Sequence, residues 1–153
     1  MGQVAHLFLW TASGHPMREV ESALAIADRG LEGCRHGRSG SRRQVLLVDK
    51  ETLELFGLQP GQIKENVTAG GIPVNDLTQG QHLAIGQALL EVTGPCEPCS
   101  RMDDIRMGLQ RELHGQRGIL CRVIAGGRIQ RGDAIQIQLA PADVAAPHIG
   151  GRL

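Results

Sequence analysis

Short apolar segments separated by glycine- or proline-containing turns run along most of this sequence. The clearest are VAHLFLW at 4–10, VLLV at 45–48, the two runs on either side of Gly86-Gln87 in HLAIGQALLEV, and GILCRVIA at 118–125. Runs of this length and composition are typical of buried strands, and two residues between apolar runs favour a hairpin. Many short strands with few helices predict an antiparallel sheet closed or folded into a barrel.

Three segments carry helical signals instead. Apolar residues at three- and four-residue steps predict a short helix within 17–27. Asp49 provides an N-cap for a second helix that ends at Gly57. The clearest helix begins at Ser100 and is stopped by Gly115, with an apolar stripe formed by Met102, Ile105, Leu109 and Leu113. We therefore expect a mainly β fold with a few short helices (α+β).

The length of 153 residues fits one domain, which we expect to span 1–139. A chain of this size buries roughly two-thirds of its unfolded surface, so its stability requires neither a disulfide nor a metal. The last segment, 140–153, is rich in Ala, Pro and Gly without periodicity, which predicts a flexible tail.

Sixteen basic residues balance sixteen acidic ones, and only three residues are aromatic. This balance removes the overall attraction to nucleic acid or to an anionic membrane, and stacking surfaces for bases are scarce. No apolar run approaches the length of a membrane span, and the N-terminus lacks a signal-peptide pattern. We expect a cytoplasmic protein with no nucleic-acid or membrane partner and with four reduced cysteines.

The stretch GPCEPCSRM at 94–102 holds two thiols, Cys96 and Cys99. If Ser100 caps a helix, with Asp103 completing a Ser-x-x-acid box, Cys99 lies beside the unpaired amides of the first turn. That position, together with the cation of Arg101, favours a thiolate. The alternative is that Cys99 is a small residue in a tight turn, as many free cysteines are.

Two further interpretations, in which Cys96 and Cys99 act as a pair, remain open. Zinc needs four ligands, and Cys34 with His36 would have to complete Cys96 and Cys99, at an unusual spacing. A redox disulfide fits the junction of strand and helix but not the hairpin-rich surroundings. Cys121 alternates with apolar strand residues and is expected in the core.

Two polar segments are candidate ligand sites. The loop at 31–43 carries Arg35, His36, Arg42 and Arg43, and several guanidinium groups in one segment can bind an anion, although most charge runs are solvated surface. KENVTAGG at 64–71 places polar groups beside glycines, which suits either an ordinary turn or the polar edge of a ligand; these groups are Glu65, Asn66 and Thr68.

Taken in order, four stretches resemble the MOSC domain, the module found at the C-terminal end of molybdenum cofactor sulfurases and in small stand-alone bacterial proteins. They are GLEGCRHGRSGSRRQVLLVDKETL at 30–53, GLQPGQIKENVTAGGI at 57–72, LTQGQHLAIGQALLEVTGPCEPCSRM at 77–102 and GQRGILCRVIAGGRIQRGDAIQI at 115–137. The resemblance covers nearly everything from 17 to 139 and implies a strand-rich, barrel-like fold.

The resemblance also implies a chemistry. The family's Pro-Cys thiol maps onto Pro98-Cys99, so Cys99 is the candidate catalytic residue, carrying sulfur as a persulfide or ligating molybdenum. The implied cofactor is the molybdenum cofactor (molybdopterin), and the candidate residues for holding this anionic group are Arg35, His36, Arg42, Arg43, Glu65, Asn66, Thr68 and Arg101.

Sulfur handling implies a cysteine desulfurase as partner, whereas reduction of N-hydroxylated compounds, known among the amidoxime-reducing members, implies a redox partner. The alternative is a non-catalytic sulfur-relay or small-molecule binding domain. Two departures from the family pattern stand out: Cys34 replaces an acid in the first loop, and Cys96 stands where Arg is usual. Together they suggest one pocket with Cys99, as a metal site or with a resolving thiol.

Overall fold

The computed structural model describes residues 2–138, which contain eleven strands and three short helices. The strands are β1 (Gly2–Leu9), β2 (Arg18–Glu19), β3 (Ser22–Ile26), β4 (Gly30–Leu31), β5 (Val45–Asp49), β6 (Val67–Gly70), β7 (His82–Ile85), β8 (Ala88–Pro95), β9 (Ile119–Ala125), β10 (Gly127–Gln130) and β11 (Ala134–Gln138). The helices are α1 (Lys50–Leu55), α2 (Arg101–Ile105) and α3 (Leu109–Glu112), and a 3-10 turn spans Val74–Asp76.

Seven strands form a closed barrel in the order β11-β7-β8-β9-β5-β6-β1, and pairing of β1 with β11 completes the ring. Neighbours are antiparallel except β5 and β6, which pair in parallel with Leu47 opposite Val67. A parallel pair needs a long crossover, and here α1 and the loop after it provide one. The predicted barrel-like α+β fold is confirmed, with a mixed rather than purely antiparallel sheet.

Apolar side chains form one cluster inside the barrel and a second on its outer side. Strand β5 contributes to both: Val45 and Leu47 point inward, while Leu46 and Val48 pack outward against the helices. Burial on both faces explains why this strand reads as a continuous apolar run instead of an alternating one. Through the outer cluster, α1, α2 and α3 pack against the barrel wall.

The prediction of a helix within 17–27 is wrong. This segment forms β2 and β3, and β3 pairs with β10 and β4 in a small separate sheet. Its buried residues alternate, since Ala23 and Ala25 face the core while Leu24 is 44% exposed. Pairing with β10, which lies over 100 residues later in the chain, overrides a weak local pattern that only propensity supported.

The helix predicted from Ser100 to Gly115 is divided into α2 and α3. Between them Arg106 is extended and Gly108 has a φ of 89°, which ends one helix and starts the next. The predicted stripe is nevertheless buried in the outer cluster, with Met102, Leu109 and Leu113 inside it and Ile105 packed against it.

The predicted capping box is also wrong. Ser100 has helical backbone angles and makes no side-chain cap. The Asp103 carboxylate instead accepts a hydrogen bond from the Gln110 amide at 2.9 Å, so it joins α3 to α2.

Other local predictions agree with the structure only in part. The hairpin at Gly86-Gln87 joins β7 to β8, with Ile85 opposite Ala88. Asp49 precedes α1, although its carboxylate makes no cap. After the Gly126-Gly127 turn the chain leaves the barrel, because β10 pairs with β3 and not with β9. The tail predicted at 140–153 lies outside the described residues. In the part of the chain from 2 to 138, no helix is long and apolar enough to cross a membrane.

Gly118, directly before β9, should tolerate no side chain. Its φ is 98°, and an added Cβ would clash with the Leu47 carbonyl oxygen. Gly115 is a matched control, since its φ is 77° but a Cβ there meets nothing. We expect Gly115→Ala to lower the free energy of unfolding by about 1 kcal/mol and Gly118→Ala by about 3 kcal/mol or more. Urea denaturation measures both; equal losses would contradict the close packing of β9 on β5.

Candidate functional site

A pocket of about 270 Å³ lies on the outer side of the barrel wall, where β5 and β9 meet α2. Its apolar wall comes from the outer cluster, and its polar wall comes from loops. The lining residues that carry chemistry are Trp10, His36, Arg43, Gln62, Lys64, Cys96, Cys99, Arg101 and Arg117. The volume is at the low end for small-molecule sites, so a larger ligand would extend from it onto the exposed side chains at its mouth.

The two thiols of the pocket have different environments. Cys99 is exposed on the segment between β8 and α2, whereas Cys96 is only 6% exposed and belongs to the outer cluster. The Cys96 amide donates to the Gly118 carbonyl at 2.9 Å, which fixes it to the start of β9. Cys99 is therefore the accessible thiol, and Cys96 is part of the pocket wall. Both are free cysteines.

Four predicted site residues share this pocket: Cys99, His36, Arg43 and Arg101. Sequence reasoning missed the cations Lys64 and Arg117. Lys64 has a left-handed φ of 70° and donates to the His15 carbonyl at 3.2 Å. The chain brings cations from the 31–43 loop, the β5–β6 crossover, α2 and the start of β9 to one cavity.

His36 is held in the pocket wall by two neighbours. Its Nδ1 lies 3.1 Å from the Asn66 Oδ1, and its ring centroid lies 5.1 Å from that of Trp10. Arg35 is exposed and stacks its guanidinium 5.3 Å from the Trp10 ring. Arg35 is not among the residues that line the pocket, and it contacts the pocket wall through Trp10.

Asn66 is completely buried behind that wall and joins four segments. Its Oδ1 accepts from the Leu46 amide at 3.0 Å, and its Nδ2 donates to the Phe8 carbonyl at 3.1 Å and to the Cys34 sulfur at 3.3 Å. With His36 as the fourth contact, every polar group of the amide is used. Asn66 thus sets the position of His36 without lining the pocket.

Cys34 is a buried thiol with an unusual environment. Burial raises its pKa, but hydrogen bonding from the His36 side chain and from the backbone amides of Trp10 and His36, with the charge of His36, outweighs burial and lowers the pKa from 9.0 to about 7. A thiolate can therefore face His36.

Glu65 and Thr68 do not line the pocket, and both are completely buried. The Glu65 Oε2 accepts from the Gly61 amide and from the Thr68 hydroxyl, each at 2.8 Å. Burial raises the pKa of Glu65, while these two bonds and the charge of Arg117 oppose that rise. Their contacts are internal, so they fix the crossover loop that carries Lys64.

Arg117 is 6% exposed, and its Nη2 donates to the Ile63 carbonyl at 2.7 Å. Among the described residues its Nε and Nη1 have no hydrogen-bond partner. The sequence signal was faint, since the residue is a single arginine between the Gly115 stop and an apolar strand.

Arg42 points away from the pocket. Its Nη2 donates to the Thr93 carbonyl at 3.0 Å, and it borders a separate surface depression with Glu91 and Arg122. The loop at 31–43 therefore divides its cations between two faces of the domain.

The structure does not assemble the proposed zinc site. Within residues 2–138, the His, Cys, Asp and Glu side chains form no group of three or more that could hold a metal ion. Cys34 lies behind Trp10 and His36, while Cys96 and Cys99 line the cavity in front of them. A structural zinc needs four ligands around one point, and these four residues do not provide it.

The Cys34 environment makes a testable prediction. In the wild type, part of the thiolate absorbance should rise with a midpoint near pH 7, and that part should be absent from Cys34→Ser. Cys121→Ser is the matched control, because burial raises the pKa of Cys121. We expect His36→Asn to move the Cys34 midpoint upward, since burial then dominates.

The same residue links stability to pH. A folded pKa below the usual 9.0 makes the unfolded chain bind more protons between pH 7 and 9. As the pH rises from 7 to 9, the free energy of unfolding of the wild type should therefore increase relative to that of Cys34→Ser. Below pH 7 this added stability should be absent. Denaturant titrations at several pH values measure it, and a flat difference would contradict the Cys34–His36 contact.

The architecture is shared with small bacterial proteins of known structure. The YuaD protein from Bacillus subtilis is 21% identical, with 90% of this chain and 96% of that chain covered at a TM-score of 0.75. YiiM from Geobacillus stearothermophilus is 19% identical, with 99% and 86% covered at 0.72. YiiM from Escherichia coli is also 19% identical, with 91% and 70% covered at 0.71. At these identities the likeness shows the fold alone.

No curated protein matches the sequence. The family model of the MOSC domain, however, matches residues 35–136, a range that includes the 31–43 loop from Arg35 onward, the crossover, both pocket cysteines and Arg117. The predicted resemblance is confirmed, and this chain belongs to the MOSC domain family.

Proposed function

We propose that this protein handles sulfur or molybdenum at Cys99, in a pocket that binds an anionic ligand. The observation that carries the proposal is the exposed Cys99 thiol on a cavity lined by Arg43, Lys64, Arg101 and the buried Arg117. A cysteine thiolate is the nucleophile that sulfur transfer needs and the soft ligand that molybdenum needs. The cations attract an anionic ligand to it.

The lining residues fit the molybdenum cofactor, which carries a phosphate and soft sulfur ligands. Arg117 has two nitrogens, Nε and Nη1, that find no hydrogen-bond partner within residues 2–138, and Cys99 offers a thiol that suits molybdenum. When bound, the cofactor supplies two-electron and sulfur chemistry that no side chain provides. Arg43 and Arg101 would hold the anionic part at the mouth, and His36 would orient a polar group through its bond to Asn66.

The sulfur-carrier form of the proposal needs a donor persulfide. The Cys99 thiolate attacks the outer sulfur of the donor, a new S–S bond forms on Cys99, the S–S bond of the donor breaks, and the donor leaves as a thiolate. The proton of the transferred sulfur stays with it, so charge is conserved. Cys96 lines the same cavity, and we propose that its thiolate attacks the inner sulfur of the Cys99 persulfide, forming a disulfide and releasing hydrosulfide.

We further propose two classes of partner protein. Sulfur loading calls for a cysteine desulfurase as donor, and reduction of N-hydroxylated compounds calls for a separate redox partner, because repeated turnover needs a renewed supply of electrons. The balanced charge of the chain gives no support to a nucleic-acid or membrane partner. Four free cysteines suit the reducing conditions of the cytoplasm, where we propose that the protein works.

The decisive experiment compares wild type, Cys99→Ala and Cys96→Ala after exposure to a desulfurase with cysteine. Mass spectrometry should find one added sulfur atom on the Cys99 peptide of the wild type. We expect the sulfur to be absent from Cys99→Ala and to persist longer in Cys96→Ala, since the resolving thiol is gone. Equal sulfur loading of the wild type and Cys99→Ala would refute the carrier role.

Elemental analysis of protein reconstituted with the molybdenum cofactor tests the second form of the proposal, in which Cys99 ligates molybdenum. Molybdenum should be retained by the wild type, and Cys99→Ala should retain less. A non-catalytic binding domain is the alternative, and it predicts bound cofactor but no turnover of N-hydroxylated compounds with an artificial electron donor. Turnover by the wild type that disappears in Cys99→Ala would therefore support an enzymatic function over a binding function alone.

A further inference from the structure

Cys34 is a nucleophilic side chain that the proposed function does not use. Its sulfur belongs to a cluster in which three residues act as donors: the Trp10 amide at 3.5 Å, the Asn66 Nδ2 at 3.3 Å, and His36 through its side chain and its backbone amide. The Asn66 Oδ1 in turn lies 3.1 Å from the His36 Nδ1. Donors that converge on one sulfur stabilise the thiolate, which is the reactive form of cysteine.

The three buried cysteines differ in access and in thiolate character, the two properties that set the reactivity of a thiol with a small oxidant. Cys121 is completely buried, and burial raises its pKa. Cys96 is 6% exposed and packs within the apolar outer cluster. Cys34 is 9% exposed between the exposed residues Gly33 and Arg35, and its pKa is lowered to about 7. Cys34 therefore combines a stabilised thiolate with a position just beneath the surface.

We propose that Cys34 is a site of oxidation by hydrogen peroxide or an organic hydroperoxide, separate from the Cys99 site. The thiolate attacks one peroxide oxygen, so that an S–O bond forms and the O–O bond breaks. The sulfur loses two electrons and becomes a sulfenic acid. The peroxide is reduced and leaves as hydroxide or alkoxide, which takes a proton from solvent. Cys34 does not line the cavity that Cys96 and Cys99 share, so we expect the sulfenic acid to meet no resolving cysteine.

Oxidation of Cys34 acts on the Cys99 pocket from behind its wall. An added oxygen enlarges a group that already has three donors around it, so at least one donor has to move. Asn66 is completely buried and uses every polar group of its amide, so the movement falls on Trp10 or His36. Both of these residues line the Cys99 pocket. This effect rests on the function proposed for Cys99, whereas the oxidation site itself does not.

The test follows Cys34 directly in the full chain. The protein is treated with hydrogen peroxide in the presence of dimedone, which labels sulfenic acids, and is then digested with trypsin. Cys34 lies in the peptide GLEGCR at 30–35 and Cys121 in GILCR at 118–122, so mass spectrometry measures the two separately. At neutral pH we expect Cys34 to be labelled about tenfold faster than Cys121 or more, at a rate that rises with a midpoint near pH 7.

Variants identify the origin of the reactivity. His36→Asn should slow the labelling of Cys34 severalfold, because the imidazole beside the sulfur is lost. His114→Asn is the matched control, since His114 is exposed and lies in a different surface depression, and it should label as the wild type does. Cys99→Ala should also be labelled at Cys34 at the wild-type rate, so failed sulfur loading at Cys99 leaves this site standing.

Alkylation of Cys99 by iodoacetamide measures the effect on the pocket. After peroxide treatment we expect its rate to change about twofold or more in the wild type, relative to Cys34→Ser treated in the same way. Equal rates would refute the effect on the pocket. Labelling of Cys34 that is no faster than that of Cys121, that is unchanged in His36→Asn, or that disappears in Cys99→Ala would overturn the oxidation site.

Discussion

The buried amide of Asn66 holds the candidate site together. It bonds the end of β1, the Leu46 amide in β5, the Cys34 sulfur and the His36 ring, which belong to segments far apart in sequence. Each bond is made in the barrel wall, where an unmet polar group costs about 1–3 kcal/mol. The position of His36, and through it the polar wall of the pocket, depends on the barrel being closed around this side chain.

Much of the fold could be read from local patterns. The apolar runs that became β5, β8 and β9 are buried on one or both faces, and the Gly86-Gln87 turn matches a two-residue hairpin. The wrong helix within 17–27 has one cause, which is pairing between segments distant in sequence. Strand β3 exists because β10 leaves the barrel to pair with it, and no window of neighbouring residues contains that information.

The site was predictable to a smaller extent. The Pro98-Cys99 pattern and the cationic loop identified one wall, but neither indicated that Arg42 faces another surface or that Glu65 and Thr68 bond each other. Arg117 had no local signature, because a single arginine gives no sign of its burial. Burial and unmet hydrogen bonds are properties of the assembled barrel, so residues of this kind become visible only in three dimensions.

Closure of the barrel joins the two ends of the described chain, since Gly2 pairs with Ile135. While the protein emerges from the ribosome, β1 can pair with β6, but its second neighbour in the barrel, β11, is the last of the described strands in the chain. Until then β1 and β7 each present an open edge, which other chains could extend. The barrel therefore cannot close before β11 has been released, and its open edges can aggregate until then.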